Sequence, residues 1–314
     1  MPGFIARRLL AMVPLALIVS FAVFMLMALV PGDPALAIAG QEATPEAIEQ
    51  VRVQYHLDQP LVVQYLYWLR DAVSLDLGTS RATSQPVLDE IVARWPVTAG
   101  LVAASALVAV VIGVPIGVLA GIRPGHLADN SSRLLAGIGL AVPNFVGAIV
   151  LVVILGVQLR WLPILGYAKF TESPADWALH MVLPAFTLGS TLAAIMIRQL
   201  RAAMIDTLDS NYVRAAWARG GSPKRVIGQH ALKNAAMPAL TVFGFSIAAM
   251  IGGTVIIEQI FSLPGLGPFI LSAIVGRDVP VVQAVTLMFV LTQLVVALLV
   301  DLAYGWLNPK VRVS

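Results

Sequence analysis

Long apolar runs recur along this chain, and they constrain its fold more than any other feature of the sequence. A helix crosses the roughly 30 Å hydrocarbon layer with about 20 apolar residues. Six stretches meet that requirement, and the predicted spans are Leu9–Val30, Val97–Ala120, Leu134–Val157, Leu179–Ile197, Ala239–Ile257 and Val281–Val300. Of the 314 residues, 59% are hydrophobic and only 12% are charged, which excludes a soluble enzyme. We therefore predict an all-α polytopic membrane protein with six transmembrane helices.

Lysine and arginine residues indicate how these spans are oriented, because cytoplasmic loops carry an excess of both. If both termini are cytoplasmic, the inner segments hold most of the 20 basic residues, namely Arg7, Arg8, Arg123, Arg133, Arg198, Arg201, Arg214, Arg219, Lys224, Arg225, Lys233, Lys310 and Arg312. The sequence thus predicts that both termini are cytoplasmic. The first apolar run is longer than the 7–15 residues of a cleaved signal peptide, so we expect it to remain as a span.

This topology divides the chain into an N-terminus with the first span (1–30), an outer segment (31–96), a five-helix core (97–304) and an inner tail (305–314). Helix-start signals in the outer segment predict three short helices, which open at Thr44-Pro45, at Pro60 and at Ser84-Gln85-Pro86. The outer segment is either a structural cap on the helix bundle or a docking surface for an outside partner.

The longest inner loop, 198–237, contains a helix–glycine–helix pattern. Tyr212–Arg219 has the composition of a short helix, and Gly220-Gly221 ends it, because glycine adopts φ > 0 at little cost. Ser222-Pro223 then provides an N-cap and a proline at the first position of a second helix, which is expected to end at Asn234. We call residues 210–234 the elbow.

The elbow is basic and partly apolar. Tyr212 and Trp217 would be costly to leave in water, so we expect the elbow to be covered. A protein partner and an anionic lipid surface are both compatible with this composition.

Small and neutral polar residues recur at helical spacing within the spans. Gly113, Gly117 and Gly121 form a repeated G-x-x-x-G ridge, which predicts close packing against another helix. Polar stripes follow one face of the fourth and sixth spans, and they contain Thr187, Ser190, Thr191, Gln283, Thr286 and Gln293. These stripes either line a hydrated passage or join helices by hydrogen bonds, and we treat them as the candidate translocation pathway.

Several kinds of chemistry are missing from the sequence. The predicted span cores contain no ionisable residue apart from Arg198 and Asp301 at span ends, which argues against a proton-driven transporter. No phosphate-binding G-x-x-x-x-G-K-[ST] loop is present, so the chain does not power itself. It has no cysteine and four widely separated histidines, which predicts that it holds no metal site.

The elbow carries a resemblance to a known family. Tyr212-Val213-Arg214-Ala215-Ala216-x3-Gly220, followed by Ser222-Pro223 and by His230–Ala235 with Pro238, resembles the coupling loop of ABC importer permeases. Its form is that of the dipeptide/oligopeptide/nickel branch. The broader superfamily has an acidic residue at the position of Arg214. In this departure the chain resembles members of the peptide branch.

Three further segments agree with that branch. Val30-Pro31-Gly32-Asp33-Pro34, Asp76-Leu77-Gly78-Thr79-Ser80 and Glu258–Gly267 are similar to its signatures, and the long segment between the first two spans is similar to the first (B-type) of its two permeases. The resemblance covers nearly the whole chain.

The resemblance implies a multi-pass subunit of the bacterial inner membrane that pairs with a second permease, two cytoplasmic ATPase subunits or domains, and an extracytoplasmic substrate-binding protein. ATP and magnesium would be bound by the ATPases, so this chain is expected to hold no cofactor, to bind no nucleic acid and not to be an enzyme by itself. The residues that would couple it to the ATPase are Tyr212, Arg214, Ala215, Ala216, Gly220, Ser222 and Pro223.

Peptide import is the leading hypothesis that this resemblance supports. The same machinery importing nickel or a nickel chelate is an alternative. A membrane receptor or scaffold that passes no cargo is a third hypothesis, and it predicts dry stripes on the fourth and sixth spans. A self-sufficient channel is disfavoured because the sequence has no ring of charges in its spans.

Overall fold

The computed structural model describes residues 2–29, 33–40 and 43–307, and its regular elements there are helices. They are α1 (Pro2–Ala28), α2 (Pro34–Ala39), α3 (Pro45–Gln54), α4 (Leu61–Val73), α5 (Val87–Ile122), α6 (Leu127–Ala141), α7 (Asn144–Leu151), α8 (Pro174–Leu208), α9 (Asn211–Ala218), α10 (Pro223–Arg225), α11 (Lys233–Ile260), α12 (Leu266–Gly276) and α13 (Val279–Leu307). Two π-helical turns, Val152–Gln158 and Val226–Leu232, follow α7 and α10. The end of the predicted first span at Val30, the start of the 30–34 motif and the tail from residue 308 lie outside the described residues.

Five helical segments within the described ranges are long and apolar enough to cross a membrane. They are Arg7–Ala28, Val87–Ile122, Pro174–Leu208, Pro223–Ile260 and Val279–Ala303. The bent pair Leu127–Ala141 and Asn144–Gln158 makes a sixth if it counts as one span. Each of the six predicted spans therefore falls on one of these segments, and the chain is an all-helical polytopic membrane protein.

The third predicted span, Leu134–Val157, is not one continuous helix. The chain bends by 103° between α6 and α7. Pro143 explains the break, since the residue before a proline is disfavoured in the helical region. Val142 is extended, with φ −88° and ψ 120°, and Pro143 is the N-cap of α7.

The outer segment also departs from the prediction of three short helices. The helix starts at Thr44-Pro45 and at Pro60 are confirmed by α3 and α4. The third signal, at Pro86, instead opens the 36-residue helix α5, which continues into the second span. Val87–Val97 contains no glycine to end a helix, and Glu90 and Arg94 form an ion pair one turn apart. Helices α2 and α12 were not predicted.

The chain forms two compact units, one mainly of Val97–Pro264 and the other mainly of Ala6–Pro96 and Gly265–Leu294. In the second unit, α4 packs on α1 through aromatic rings. The Tyr65 ring lies edge-on to Phe21 at 5.1 Å between centroids, and its hydroxyl lies 2.9 Å from the Ser20 hydroxyl. Tyr65 is buried, so α4 is attached to the first span.

The glycine ridge of α5 lies against α8 in the first unit, as the G-x-x-x-G pattern predicts. A Cβ atom placed on Gly113, Gly117 or Gly121 would stand 2.8, 3.1 or 2.5 Å from the Cβ atoms of Met196, Leu200 and Met204 respectively. Gly189 of α8 reciprocates at the other end, where a Cβ would stand 2.6 Å from the Ser105 carbonyl oxygen. We call this contact the glycine seam.

Residue numbers rise together on both sides of the glycine seam, so α5 and α8 run in the same direction. The chain between them must therefore return from one end of the seam to the other. Helix α6 begins this return, because Asp129 contacts Arg201 while Gly139 lies on Ala194. Gly166 then donates a backbone hydrogen bond to the Phe261 carbonyl and lies beside His180, near the N-terminal end of α8. This path supports counting the bent pair as one crossing.

Helix α11 runs antiparallel to α8. Gly253 lies on Leu188, whereas Ala236 and Ala239 share an apolar cleft of about 200 Å³ with Met196 and Leu200. A buried apolar cluster of this unit is built mainly from the same three helices, α5, α8 and α11, with Ala148 of α7 and Ala231 added. The elbow joins α8 to α11 at one end of this packed core.

Candidate functional site

The elbow begins at Ser210, directly after the end of α8. Helix α9 occupies Asn211–Ala218, as the sequence predicts, and Ser222-Pro223 opens the next helix with proline at its first position. The side chains of Ser210 and Ser222 do not cap these helices, and the Ser210 hydroxyl donates instead to the Thr207 carbonyl.

The sequence predicts that the second elbow helix ends at Asn234, and this prediction is wrong. The helix continues through the π-helical turn Val226–Leu232 into α11, so the helical segment Pro223–Ile260 is unbroken. No residue between Val226 and Asn234 acts as a helix stop. The His230 carbonyl accepts one hydrogen bond from the Asn234 side-chain amide at 2.8 Å and another from the Tyr212 hydroxyl at 3.4 Å. The elbow is therefore one short helix joined by a glycine turn to the start of a span.

The glycine turn has a Schellman arrangement. Gly220 has φ +79°, which confirms the predicted left-handed residue. Its N–H donates to the Trp217 carbonyl at 2.9 Å, and the Gly221 N–H donates to the Ala216 carbonyl at 3.2 Å. These two bonds satisfy carbonyl groups that a helix end otherwise leaves open. The turn is consequently defined by its backbone and not by side-chain contacts.

A small apolar core holds the two arms of the elbow together. Val213 and Ala216 of α9 are buried against Val226 of the following helix, and Leu208 at the end of α8 packs on this cluster. A Cβ atom on Gly221 would stand 2.7 Å from Val226 Cγ2 and 2.9 Å from the Ala216 carbonyl oxygen. The turn thus needs glycine at 220 for its backbone angle and glycine at 221 for space.

The outer surface of the elbow is basic and aromatic. Among the predicted coupling residues only Ala216 is buried, and the exposed members are Tyr212, Arg214, Ala215, Gly220, Ser222 and Pro223. Tyr212 is 46% exposed and Trp217 is 40% exposed, so the rings that called for a cover are uncovered in this chain. Arg214 forms an exposed ion pair with Asp209, while Arg219, Lys224 and Arg225 are also exposed.

The predicted pathway residues of α8 are largely engaged within their own unit. Thr187 is buried and donates to the Leu183 carbonyl, and Ser190 donates to the Thr187 carbonyl. Thr191 donates to Asn144 and to the Gly139 carbonyl, so it joins α8 to the break between α6 and α7. In this state the α8 stripe acts mainly in helix packing.

The α13 members of the predicted pathway lie in the other compact unit. Gln283 is buried, Thr286 is half-buried and donates to the Val282 carbonyl at 2.6 Å, and Gln293 is exposed. Polar groups thus follow the α13 stripe from a buried end to an exposed end.

Three carboxylates, Asp129, Glu258 and Asp278, are buried, and none of these burials is predicted from the sequence. Asp129, in the first turn of α6, forms a bidentate ion pair with Arg201 of α8. Asp278 precedes α13, and one of its oxygens accepts hydrogen bonds from the Ser80 hydroxyl at 2.7 Å and the Arg81 N–H at 2.8 Å. Asp129 and Asp278 lie just outside the predicted spans, and no spacing rule connects them to partners that are 72 and 198 residues away.

The fold defines a polytopic helical membrane protein, and comparison with known proteins identifies its family. Residues 113–313 match the family described as binding-protein-dependent transport system inner membrane component, and residues 1–102 match the corresponding N-terminal family. The chain belongs to this family. It is an ABC importer permease of the peptide transport type and a multi-pass inner-membrane protein.

Similar proteins are alike over their full length. A peptide transport system permease protein of Brucella abortus (strain 2308) is 40% identical over 316 residues, which cover 99% of both chains. The glutathione transport system permease protein of Escherichia coli (strain K12) is 38% identical over 312 residues and 99% of both chains. The inward-facing MetNI methionine ABC transporter matches with a TM-score of 0.56 at 17% identity, over 69% of this chain and 96% of that one. This last likeness concerns the fold.

Proposed function

We propose that the chain forms half of a passage through which a bacterial importer takes up short peptides, including glutathione-like tripeptides. The full-length similarity to relatives named for peptide and glutathione transport supports this cargo. The other half would be a second permease, and an extracytoplasmic binding protein would deliver the peptide. Two ATPase subunits or domains, which bind ATP and magnesium, would drive the cycle.

The single observation that carries this proposal is the surface of the elbow. It is a compact projection with its own buried core of Val213, Ala216 and Val226, and with Tyr212 and Trp217 exposed on its outside. Exposed aromatic rings with neighbouring cations are typical of an interface that a protein partner covers. We assign the elbow to a cleft of the ATPase, which we expect to present acidic groups opposite Arg214, Arg219 and Arg225.

The elbow is well placed to move two spans together. Helices α8 and α11 run antiparallel, and the elbow joins them within a few residues of Leu208 and Pro223. Because the Schellman turn and the buried core make the elbow rigid, a push on it would act on the adjoining ends of both helices. Such a push would switch the passage between inward-open and outward-open packing. The elbow and both termini would be cytoplasmic, in line with the distribution of arginine and lysine.

Thr187, Ser190, Thr191, Gln283, Thr286 and Gln293 remain the proposed pathway residues. Neutral hydroxyl and amide groups suit a peptide, which carries both charges and backbone amides. The buried state of Thr187 requires that it become accessible in another state of the cycle. Since the chain has no cysteine, single cysteines at positions 187, 286 and 293 can be labelled without background labelling of this chain.

The experiment is reconstitution. The tagged chain is purified in mild detergent with its co-expressed permease, ATPase and binding protein, and uptake of a labelled tripeptide into proteoliposomes is measured with and without ATP. We expect ATP-dependent uptake and state-dependent labelling at position 187. Uptake of nickel in place of peptides would support the nickel alternative. An ATPase that never associates, or labelling sites protected in every nucleotide state, would support the receptor or scaffold hypothesis and refute this one.

A further inference from the structure

An ion pair between the buried Asp129 and the partly buried Arg201 joins the third span to α8 just before the elbow. Asp129 is only 1% exposed, and Arg201 contacts both of its carboxylate oxygens, with Nη2 at 2.8 Å from Oδ2. The N–H of Gly125 donates to the same Oδ2 at 2.8 Å. A bidentate, charge-assisted contact of this kind fixes both the distance and the relative rotation of the two helices.

The pair occupies a mechanically significant position. Arg201 lies seven residues before Leu208, the last residue of α8, which corresponds to about 10 Å along the helix axis. On another side of α8, Met204 and the carbonyl of Arg201 lie against Gly121 in the glycine seam. The end of α8 nearest the elbow therefore packs closely against α5 and forms an ion pair with α6.

Small residues of α6 make further contacts with α8, beside the hydrogen bond from the Thr191 hydroxyl to the Gly139 carbonyl. Ala136 packs with Ala194 and Ile197, and Gly139 lies on Ala194, where an added Cβ would stand 2.9 Å from the alanine Cβ. These small-residue contacts let the two helices approach closely, but they contain no charge-assisted hydrogen bond that would fix the relative rotation of the helices. The Asp129–Arg201 pair is thus a directional restraint on the half of α6 that lies nearest the elbow.

Stability alone gives a weak reason for this pair. Burying two charges costs desolvation energy that apolar residues of similar size do not incur, and replacing both members of such a pair is often neutral for stability. Losing only one member leaves an uncompensated buried charge and is destabilising. A role in positioning can therefore be separated from a role in folding by comparing single and double substitutions.

We propose that the Asp129–Arg201 pair is a strut that makes α6 move with α8 when the elbow is displaced, so that the third span takes part in gating. This proposal rests on the proposed function of the elbow. Both residues are positioning residues and contact no cargo. Without the strut, the ATPase would still displace the elbow and α8, but α6 would follow the movement of α8 incompletely.

The test uses the full complex with spin labels on cysteines at Leu134 of α6 and Ala202 of α8, both exposed positions. Pulsed electron paramagnetic resonance gives the distance between the labels with no nucleotide and in the ATP-trapped state. In the wild-type chain we expect the distance to stay the same in both states. In the double variants Asp129→Asn/Arg201→Gln and Asp129→Leu/Arg201→Met we expect it to change on trapping.

Uptake of a labelled tripeptide per ATP hydrolysed is measured on the same preparations. We expect the double variants to assemble at near wild-type amounts while this ratio falls at least threefold. The single variant Arg201→Gln leaves the buried Asp129 carboxylate unpaired, so we expect it to lose assembled complex as well. A purely structural role would lower the amount of complex and leave the ratio per complex unchanged. The matched control neutralises the exposed pair Lys169 and Glu172 as Lys169→Gln/Glu172→Gln, and it should behave as wild type.

Two outcomes would overturn the strut. One is a label distance that already changes with nucleotide in the wild-type chain, and the other is a double variant whose distances and uptake ratio both equal those of the wild type. Failure of the proposed function has a different signature, because a wild-type complex that hydrolyses no ATP or imports no peptide would fail before any variant is compared.

Discussion

Substitution of Gly220 tests whether glycine is required at this position for its backbone angle or for lack of space around it. At φ +79° an L-residue with a side chain is in the left-handed region, which costs about 1–2 kcal/mol, and a β-branched residue costs more. A Cβ at this position meets nothing within 4 Å, so steric crowding adds no further cost. Gly220→Val should therefore disfavour the formed turn by at least about 2 kcal/mol, or about 30-fold in population.

The assay measures how much ATPase co-purifies with the tagged chain and how much tripeptide is taken up per ATP hydrolysed. We expect Gly220→Val to lose most ATPase association or most coupled uptake, and Gly220→Asn to lose less, because asparagine tolerates the left-handed region better. Gly228→Ala is the matched control, since Gly228 lies in the π-helical turn, also has open space around it and has no positive φ. Normal assembly and uptake by Gly220→Val would refute the reasoning.

Three further predictions follow from the described contacts. Gly121→Leu should separate α5 from α8 and lower the melting temperature in detergent, whereas Gly137→Leu, which meets open space, should leave that temperature within a degree or two. Asp278→Ala should remove the acceptor of the Arg81 and Ala82 N–H groups, which costs about 1–3 kcal/mol of local stability. We expect faster amide hydrogen exchange at residues 81 and 82, and unchanged exchange would contradict the assigned bonds. Arg214→Glu should weaken ATPase association most at low salt, because exposed charges are screened within about 8 Å at physiological ionic strength, and a salt-independent effect would exclude an electrostatic contact.

The sequence predicts what depends on composition and on local backbone chemistry. Apolar length places each span, and the Gly220-Gly221 stop and the Pro223 start place the elbow, because these signals act within a few residues. The glycine ridge also predicts a close helix contact, although it cannot name Met196, Leu200 and Met204 as the partners. Those partners follow from the path of the chain between α5 and α8.

The features that were missed depend on long-range geometry or on competing local signals. Pro143 lies inside an apolar run long enough for a span, and apolar length outweighed the proline in the prediction. Asp129 and Arg201 each stand outside the predicted cores, so neither looked like a buried charge. Their burial arises only when α6 folds back along α8.

The glycine seam also limits how α5 and α8 can move past each other. Its notches repeat every four residues, a step of about 6 Å along the axis. A shorter axial slide would bring the Cβ atoms of Leu200 and Met204 onto the larger residues between the notches. We therefore expect an axial slide of α5 against α8 to occur in steps of about four residues and not continuously.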